Sequence, residues 1–533
     1  MKKLSCRTWL PRIFHKSSKS KQFTENRDNN PPLTAADTRA AAGRESIQGY
    51  EKYTKDTLLV GIAHLLFNLR GLILLPVLTK TLGAELYGVW AQLLATIGLL
   101  APLASLQLNQ AMTRFLTARE DKQEIGKGLS SILSVMLVTT AIFSLLMFLL
   151  SGDLAKTVFG GLSSAPFIRM AVPLLFVTII EERFTRHYFR SFRQIKKYSA
   201  FMMLQLVAEI GLVSYLVLAG FGLRGVIYAM LAARLVMLIV EAALVLPQIR
   251  ITTPSLSLIK TYLVFSLPLI PFMLCAWIVG SSDRYVIGYF MDIDAVGIYS
   301  VAYNLGNVVN FFIAPIWVVM LPAITSLYEN NRMHELRVHL KYSLKLFLAL
   351  AIPAFVGLAV LARPLLAVLT TDEFVESYLV IPLIALAMVL FGSSTIMGNI
   401  LVLVKRTKTL ALVYGGSAIL NLVLNIALVP AIGILGAAVG TLATFAVHLI
   451  IMRRIAFRAL PFDTDPRFII KGIVSAAVMG AVVFWLNPSG ITGIVIAIIV
   501  GVVLYSGILI LLKGISREEY RFLTGMIKRS IKS

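Results

Sequence analysis

The stretch KKYSAFMMLQLVAEIGLVSYLVLAGFGLRGVIYA, residues 196–229, opens on two lysines and continues as an apolar run interrupted at Gly220 and Gly222. A helix needs about 20 mostly apolar residues to cross the hydrocarbon core of a bilayer. The run before Gly222 meets that length and a second apolar run starts directly after it, so the segment reads as a transmembrane hairpin with a tight turn.

A second stretch, KTLALVYGGSAILNLVLNIALVPAIGILGAAVG (408–440), follows the same plan and pairs Gly222 with Gly433 and Gly225 with Gly436. Upstream, LYGVWAQLLATIG (86–98) aligns with AVGIYSVAYNLGN (295–307), pairing Gly88 with Gly297 and Trp90 with Tyr299. Apolar sequences align easily, but both matches share an offset of about 210 residues and fall on corresponding runs, which argues for an internal repeat. An offset of six helices preserves chain direction, so the repeat is parallel, with its axis along the membrane normal.

Windows of the same length, read outward from these stretches, place spans near 57–80, 87–109, 129–150, 165–181, 198–220, 224–246, 260–281, 297–322, 343–369, 378–403, 408–430, 432–453, 468–486 and 490–512. The expected fold is an all-α integral membrane protein of about fourteen transmembrane helices. Two pseudo-symmetric six-helix lobes, 56–250 and 251–460, are followed by a final helix pair and basic tail in 461–533. Residues 1–55 are polar and basic, with no apolar core ahead of a small-residue cleavage site. They are expected to be a disordered cytosolic tail, not a signal peptide.

Composition agrees: 58% of the residues are hydrophobic and 14% charged, against roughly 45–50% apolar in soluble domains. The net charge of +23 would suit nucleic acid only if the basic residues formed one module or face. They are instead scattered between apolar runs, as in loops that face anionic lipid, so no nucleic-acid partner is expected. The two cysteines, Cys6 in the polar tail and Cys275 in an apolar run, should lie too far apart to bridge.

Lys and Arg fix the direction of the spans. With both termini cytoplasmic, one side holds Arg114, Arg119, Lys122, Lys127, Arg183, Arg186, Arg190, Arg193, Lys196, Lys197, Lys405, Arg406, Arg453, Arg454 and the tail after Lys513, while the other holds little beyond Lys80, Lys156, Arg224, Arg284 and Arg363. The outer loops are short and leave no room for an extracellular catalytic domain.

Ionisable groups at bilayer depth cost about 2.5–3.5 kcal/mol to insert and mark functional candidates. In the first lobe these are His64, Arg70, Glu209, Arg234 and Glu241, with Asn68 beside Arg70. Glu209 and Arg234 stand at similar distances either side of the Gly222 turn, so a salt bridge between them is available. Arg70 is then left without an anionic partner, as suits a cation facing a water-filled cavity that receives an anion. Glu209, Glu241 and Asp283 are the carboxylates available for ion coupling. The second lobe offers amides: Asn304, Asn307 and Asn310, then Asn399, then Asn421 and Asn425 one helical turn apart. Such amides more often make packing hydrogen bonds than ligand contacts; Asn304, Asn307, Asn421 and Asn425 are the candidates for a hydroxyl-rich ligand. Pro268, Pro271 and Pro315 should bend spans seven and eight. No phosphate loop, HExxH, CxxC or GxSxG pattern occurs, so no catalytic residue, metal site or cofactor is expected.

Three segments resemble Wzx-type polysaccharide flippases of the multidrug/oligosaccharidyl-lipid/polysaccharide exporter superfamily. They are LLPVLTKTLGAELYGVWAQLLATIGLLAPLASLQLNQAMTRF (74–115), SSDRYVIGYFMDIDAVGIYSVAYNL (281–305) and GILGAAVGT (433–441), carrying LGxxxYG, DR…IG…VGxY and small-residue patterns. The resemblance covers about residues 55–515 and implies a two-lobe exporter fold in the cytoplasmic membrane. It implies movement of a polyprenyl-pyrophosphate-linked oligosaccharide between leaflets by alternating access, with membrane lipids, a polysaccharide polymerase and chain-length machinery as partners. Arg70 is the position that fits an anion-accepting cavity, and the long N-terminal tail departs from compact members. A drug/cation antiporter of the same superfamily would call for an acidic cavity, and a membrane glycan ligase or polymerase for long outer loops.

Overall fold

Chain length against membrane thickness decides how the helices divide. The computed structural model describes residues 35–249 and 252–514, with side chains from residue 60 onward, positions 62, 318 and 319 excepted. Among the described residues every regular element is helical, and twelve continuous helices are long and apolar enough to span a bilayer. Two of them are too long for one crossing: Ala63–Ala104 has 42 residues and Ile195–Val245 has 51. At 1.5 Å per residue these exceed a core about 30 Å thick. Each is divided by glycine in the left-handed region, Gly83 (φ 70°) in the first and Gly220 and Gly222 (φ 89° and 55°) in the second. Twelve helices, two of them divided, give the fourteen expected spans.

Several boundaries differ from the sequence reading, among them the starts of the third span at Lys122 and the ninth at Met333, and three of them bear on the charged groups and the tail. The first helix starts at Ala35, so residues 35–55 are not the irregular tail expected; AADTRAAAGRES is alanine-rich, and alanine is the best helix former. Residues 1–34, with Cys6, and 515–533 lie outside the described residues. The seventh span runs on to Phe290, which moves Arg284 from an outer loop into a helix. There it is buried, because Asp283, Ser300 and the Tyr303 ring supply partners for its guanidinium. The fourth span continues past residue 181, through a π-helical turn at Glu181–Thr185 to Ser191. In span seven, where Pro268 and Pro271 are expected to bend the helix, a single 3₁₀ turn, Leu267–Leu269, containing Pro268 interrupts the α-helix. Span eight changes gauge at the 3₁₀ segment Asn307–Phe312, just before Pro315.

Residues matched by the repeat adopt matching backbone. Gly222 (φ 55°, ψ −142°) and Gly433 (φ 62°, ψ −144°) share one uncommon conformation. Arg193 and Lys405, at the ends of spans four and ten, are both left-handed (φ 54° and 58°). The amide after each closes the same five-residue turn, Gln194 N–H donating to Phe189 O and Arg406 N–H to Leu401 O. The 86–98 and 295–307 stretches lie against each other, and only hydrogen at Gly88 and Gly297 permits the approach.

The final helix pair, Pro466–Leu486 and Gly490–Leu511, packs on the long helix Met333–Leu369. Gly472 receives Ile352 and Gly480 receives Val356 and Val360, while Lys341 and Lys345 bond Asp463 and Asp465 in the preceding loop at 2.6 and 3.1 Å. Positions 341, 345, 352, 356 and 360 make one stripe along a helix face.

A buried ionic network as candidate functional site

A π turn widens the helix by one residue, and such bulges recur at functional sites. Here it starts at Glu181 and brings Glu181 and Glu182 onto one guanidinium: Arg234 Nη1 lies 3.1 Å from Glu181 and 2.7 Å from Glu182. One turn on, Arg186 pairs with Glu181 and reaches Glu241 at 3.3 Å. The other Glu241 oxygen accepts from the Thr185 hydroxyl at 2.6 Å. Arg234 Nε lies 3.2 Å from Glu209 Oε1, which also accepts from Gln205 at 2.6 Å. Arg70 closes the network on Glu209 Oε2.

Three guanidiniums and four carboxylates from spans one, four, five and six are thus interlocked inside apolar helices. The arrangement persists because each charge has an opposite charge in contact; a lone buried ion would cost several kcal/mol. Accessibility is uneven. Glu181, Glu209 and Glu241 side chains are 0% exposed and Arg186 and Arg234 6%, whereas Arg70 is 20% and Glu182 35% exposed. The network therefore meets its surroundings through one cation and one anion. Arg70 also lies 4.6 Å from the Phe67 ring centroid.

The Glu209–Arg234 contact anticipated from the hairpin is present. Arg70 is not the lone cation expected: hydropathy says nothing of helix rotation, and span one turns Arg70 onto the second oxygen of the same Glu209. Glu241, one of the carboxylates considered for ion coupling, is buried against Arg186 and Thr185. Glu181, Glu182 and Arg186 were missed as membrane-depth groups because an apolar window ends the fourth span at 181. An i, i+1, i+5 set of two acids and a base at the edge of an apolar run was the available signal. Nearby, His64 Nε2 is 3.0 Å from the Tyr198 hydroxyl, and Asn68 is exposed on the same helix as Arg70.

The second half is less amide-lined than expected. Asn421 and Asn425 are fully buried: Asn425 donates to Asn421 at 3.2 Å, and Asn421 donates to Thr441 at 3.4 Å across spans eleven and twelve. With no exposed surface they pack helices and face no opening, the commoner role of amides between membrane helices. Asn304 and Asn307 keep partial exposure, and the Asn304 amide donates to the Tyr87 hydroxyl at 3.4 Å. Nor is this half uncharged: Asp283 is buried, accepting from the Tyr299 hydroxyl at 2.5 Å and from the Arg284 backbone amide at 2.9 Å.

The chain is thus a multi-pass helical membrane body with a polar network buried in its first half, and solved structures share the fold. It superposes on the lipid II flippase MurJ in an inward closed conformation with a TM-score of 0.67, covering 85% of this chain and 97% of that one at 15% identity. An inward-facing multidrug resistance MATE transporter of the MOP superfamily gives 0.62 at 16% identity, covering 74% and 95%. The chain belongs to the polysaccharide biosynthesis protein family, matched over residues 53–328, with the MatE family matching 268–427. Two relatives come from Haloferax volcanii. The probable low-salt glycan biosynthesis flippase Agl15 is 23% identical over 249 residues, 46% of this chain and 53% of its own. The probable flippase AglR is 27% identical over 250 residues, 44% of this chain and 51% of its own. The chain spans about half the length of these relatives.

Proposed function

We propose that this protein is a flippase that carries a polyprenyl-pyrophosphate-linked oligosaccharide from the inner to the outer leaflet of the cytoplasmic membrane. The observation that carries this reading is Arg70, a guanidinium within a span that remains partly accessible while its carboxylate partner is wholly buried. An anionic headgroup reaching the exposed part of Arg70 competes with Glu209 for it. Glu209 tolerates the exchange because Arg234 and Gln205 still hold its other oxygen. The family match and the two flippase relatives support the same class of substrate.

Alternating access follows from two six-helix lobes, 56–250 and 251–460, rocking about the repeat axis, with both termini on the basic, cytoplasmic side. The network holds one carboxylate more than its guanidiniums, a surplus suited to a coupling proton or sodium ion. A second reading, cation or drug export, has one observation in its favour: Glu182 is the more exposed of the two groups at the rim.

The test is reconstitution of the full chain in vesicles with a lipid-linked oligosaccharide, scoring its exposure on the opposite leaflet with and without a proton or sodium gradient. Wild type should move the lipid and Arg70→Ala should not, although both insert. Equal transport by Arg70→Ala, or transport of organic cations alone, overturns the first reading.

A further inference from the structure

At the end of the bundle where the basic loops gather, two helix segments face each other across a cavity of about 500 Å³. One is the end of span two, where Gln110, Thr113 and Thr117 share an exposed face that passes through a second π turn, Met112–Leu116. The other is the end of span four, contributing His187, Arg190 and Arg193. Thr113 ties the walls together, its hydroxyl 3.0 Å from His187 Nε2 and 2.8 Å from Ser191 Oγ. Arg193 sits at the left-handed turn that ends this helix.

The composition of this cavity differs from that of the ionic network. Every guanidinium there meets a carboxylate; no carboxylate lines this cavity, and no ion pair among the described residues involves Arg190 or Arg193. Two unpaired guanidiniums facing hydroxyl and amide donors form a set with charge and hydrogen-bond donors but no counter-anion. Phosphoryl oxygens match it, because guanidinium binds them bidentately and hydroxyls donate to the remaining lone pairs.

We infer that this cavity is a diphosphate-binding site at the cytoplasmic mouth, separate from Arg70, where the headgroup of a prenyl diphosphate is held before it enters the body. The assignment rests on the transport reading above and adds a loading station to it. Arg186, one turn before Arg190, belongs to the buried network, so the same short helix carries a member of the network and, one turn further toward its end, a member of the loading site.

The experiment is calorimetric titration of the full chain in phosphatidylcholine nanodiscs with inorganic pyrophosphate and, separately, with farnesyl diphosphate. A third arm repeats both with phosphatidylglycerol added. Both probes should bind. Arg190→Gln combined with Arg193→Gln should lower affinity about tenfold or more, given the strength of charge-assisted hydrogen bonds. Arg190→Lys with Arg193→Lys should recover part of it, and Arg224→Gln at the opposite end should not alter it. Unchanged affinity in the double glutamine variant, or complete displacement of both probes by phosphatidylglycerol, overturns the assignment. Leaflet exposure measured on the same variants separates the two readings. Pyrophosphate bound through Arg190 and Arg193 without lipid movement sustains the site and sinks the transporter, and normal movement with unchanged affinity in the double variant does the reverse.

Discussion

Gly88 and Gly297 contact each other reciprocally: a Cβ on Gly88 would overlap the carbonyl of Ile293, and one on Gly297 the carbonyl of Ala84. Each carbonyl belongs to the residue four positions before the opposite glycine. Residues equivalent in a repeat that also touch each other in this mutual fashion lie on the axis relating the repeats, as at an isologous dimer contact.

Substituting either glycine should therefore be costly. Gly88→Ala and Gly297→Ala each push against backbone, which cannot rotate away, and should destabilise by about 1–3 kcal/mol or more. Gly71→Ala, with nothing within 4 Å of the added methyl, should be neutral or stabilising by up to about 1 kcal/mol. Thermal unfolding of the detergent-solubilised chain, followed by tryptophan fluorescence, ranks the three.

The network predicts an order among its members. Glu209→Gln strips the charge from an acid that touches both Arg70 and Arg234, and should cost about 3–5 kcal/mol. Arg70→Ala leaves Glu209 still held by Arg234 and Gln205 and should cost less. Exchanging the pair, Glu209→Arg with Arg234→Glu, should not restore stability, since it sets one arginine against Arg70 and one glutamate against Glu181 and Glu182. Recovery in the double variant would mean that Glu209 and Arg234 act as an isolated pair.

In the second half, Tyr299→Phe removes the hydroxyl that donates to buried Asp283. A loss of about 1–3 kcal/mol is expected for leaving that carboxylate short of a donor. Asp283→Asn in the same background should recover part of the loss, and denaturation of the two variants side by side measures it.

The loop before the final helix pair should hold together at unusually low pH. The hydrogen bond from Lys341 holds the Asp463 carboxyl below its ordinary value. Burial raises Asp465, but the bonds from Lys345 and the Phe468 amide outweigh it and leave that carboxyl lowered too. A depressed folded-state pKa gives stability that is present above the unfolded value and disappears as pH falls through the folded one. The protection against amide exchange at Asp465 and Phe468, whose N–H groups donate to the Asp463 and Asp465 carboxylates, should accordingly persist as pH drops through the ordinary aspartate range and fall only below it, once the intrinsic pH dependence of exchange is divided out. With Lys341→Met and Lys345→Met the fall should come at higher pH.

How much of this was legible in the sequence differs between backbone and site. Apolar run length located all fourteen crossings because the bilayer sets a single length scale, and Gly222 and Gly433 announced their turns because few other residues adopt positive φ. The partners of Arg70 were not legible. Whether it faces a cavity or Glu209 depends on the rotation of span one, which a uniformly apolar run leaves unspecified. Glu181, Glu182 and Arg186 escaped for a different reason: a π turn changes helical gauge without changing hydropathy. Asn421 and Asn425 were correctly seen to share a face, but that face is sealed by Thr441 on the neighbouring helix.

The stripe on Met333–Leu369 that holds the last two helices makes them an outrigger. Fastened along one edge of a single strut and otherwise presenting side chains such as Trp485 and Leu511 outward, the pair must tilt by whatever angle that strut tilts. With any such tilt its outer surface sweeps through lipid farther from the pivot than any part of the strut itself, so bilayer thickness and stiffness act on that motion with a longer lever there.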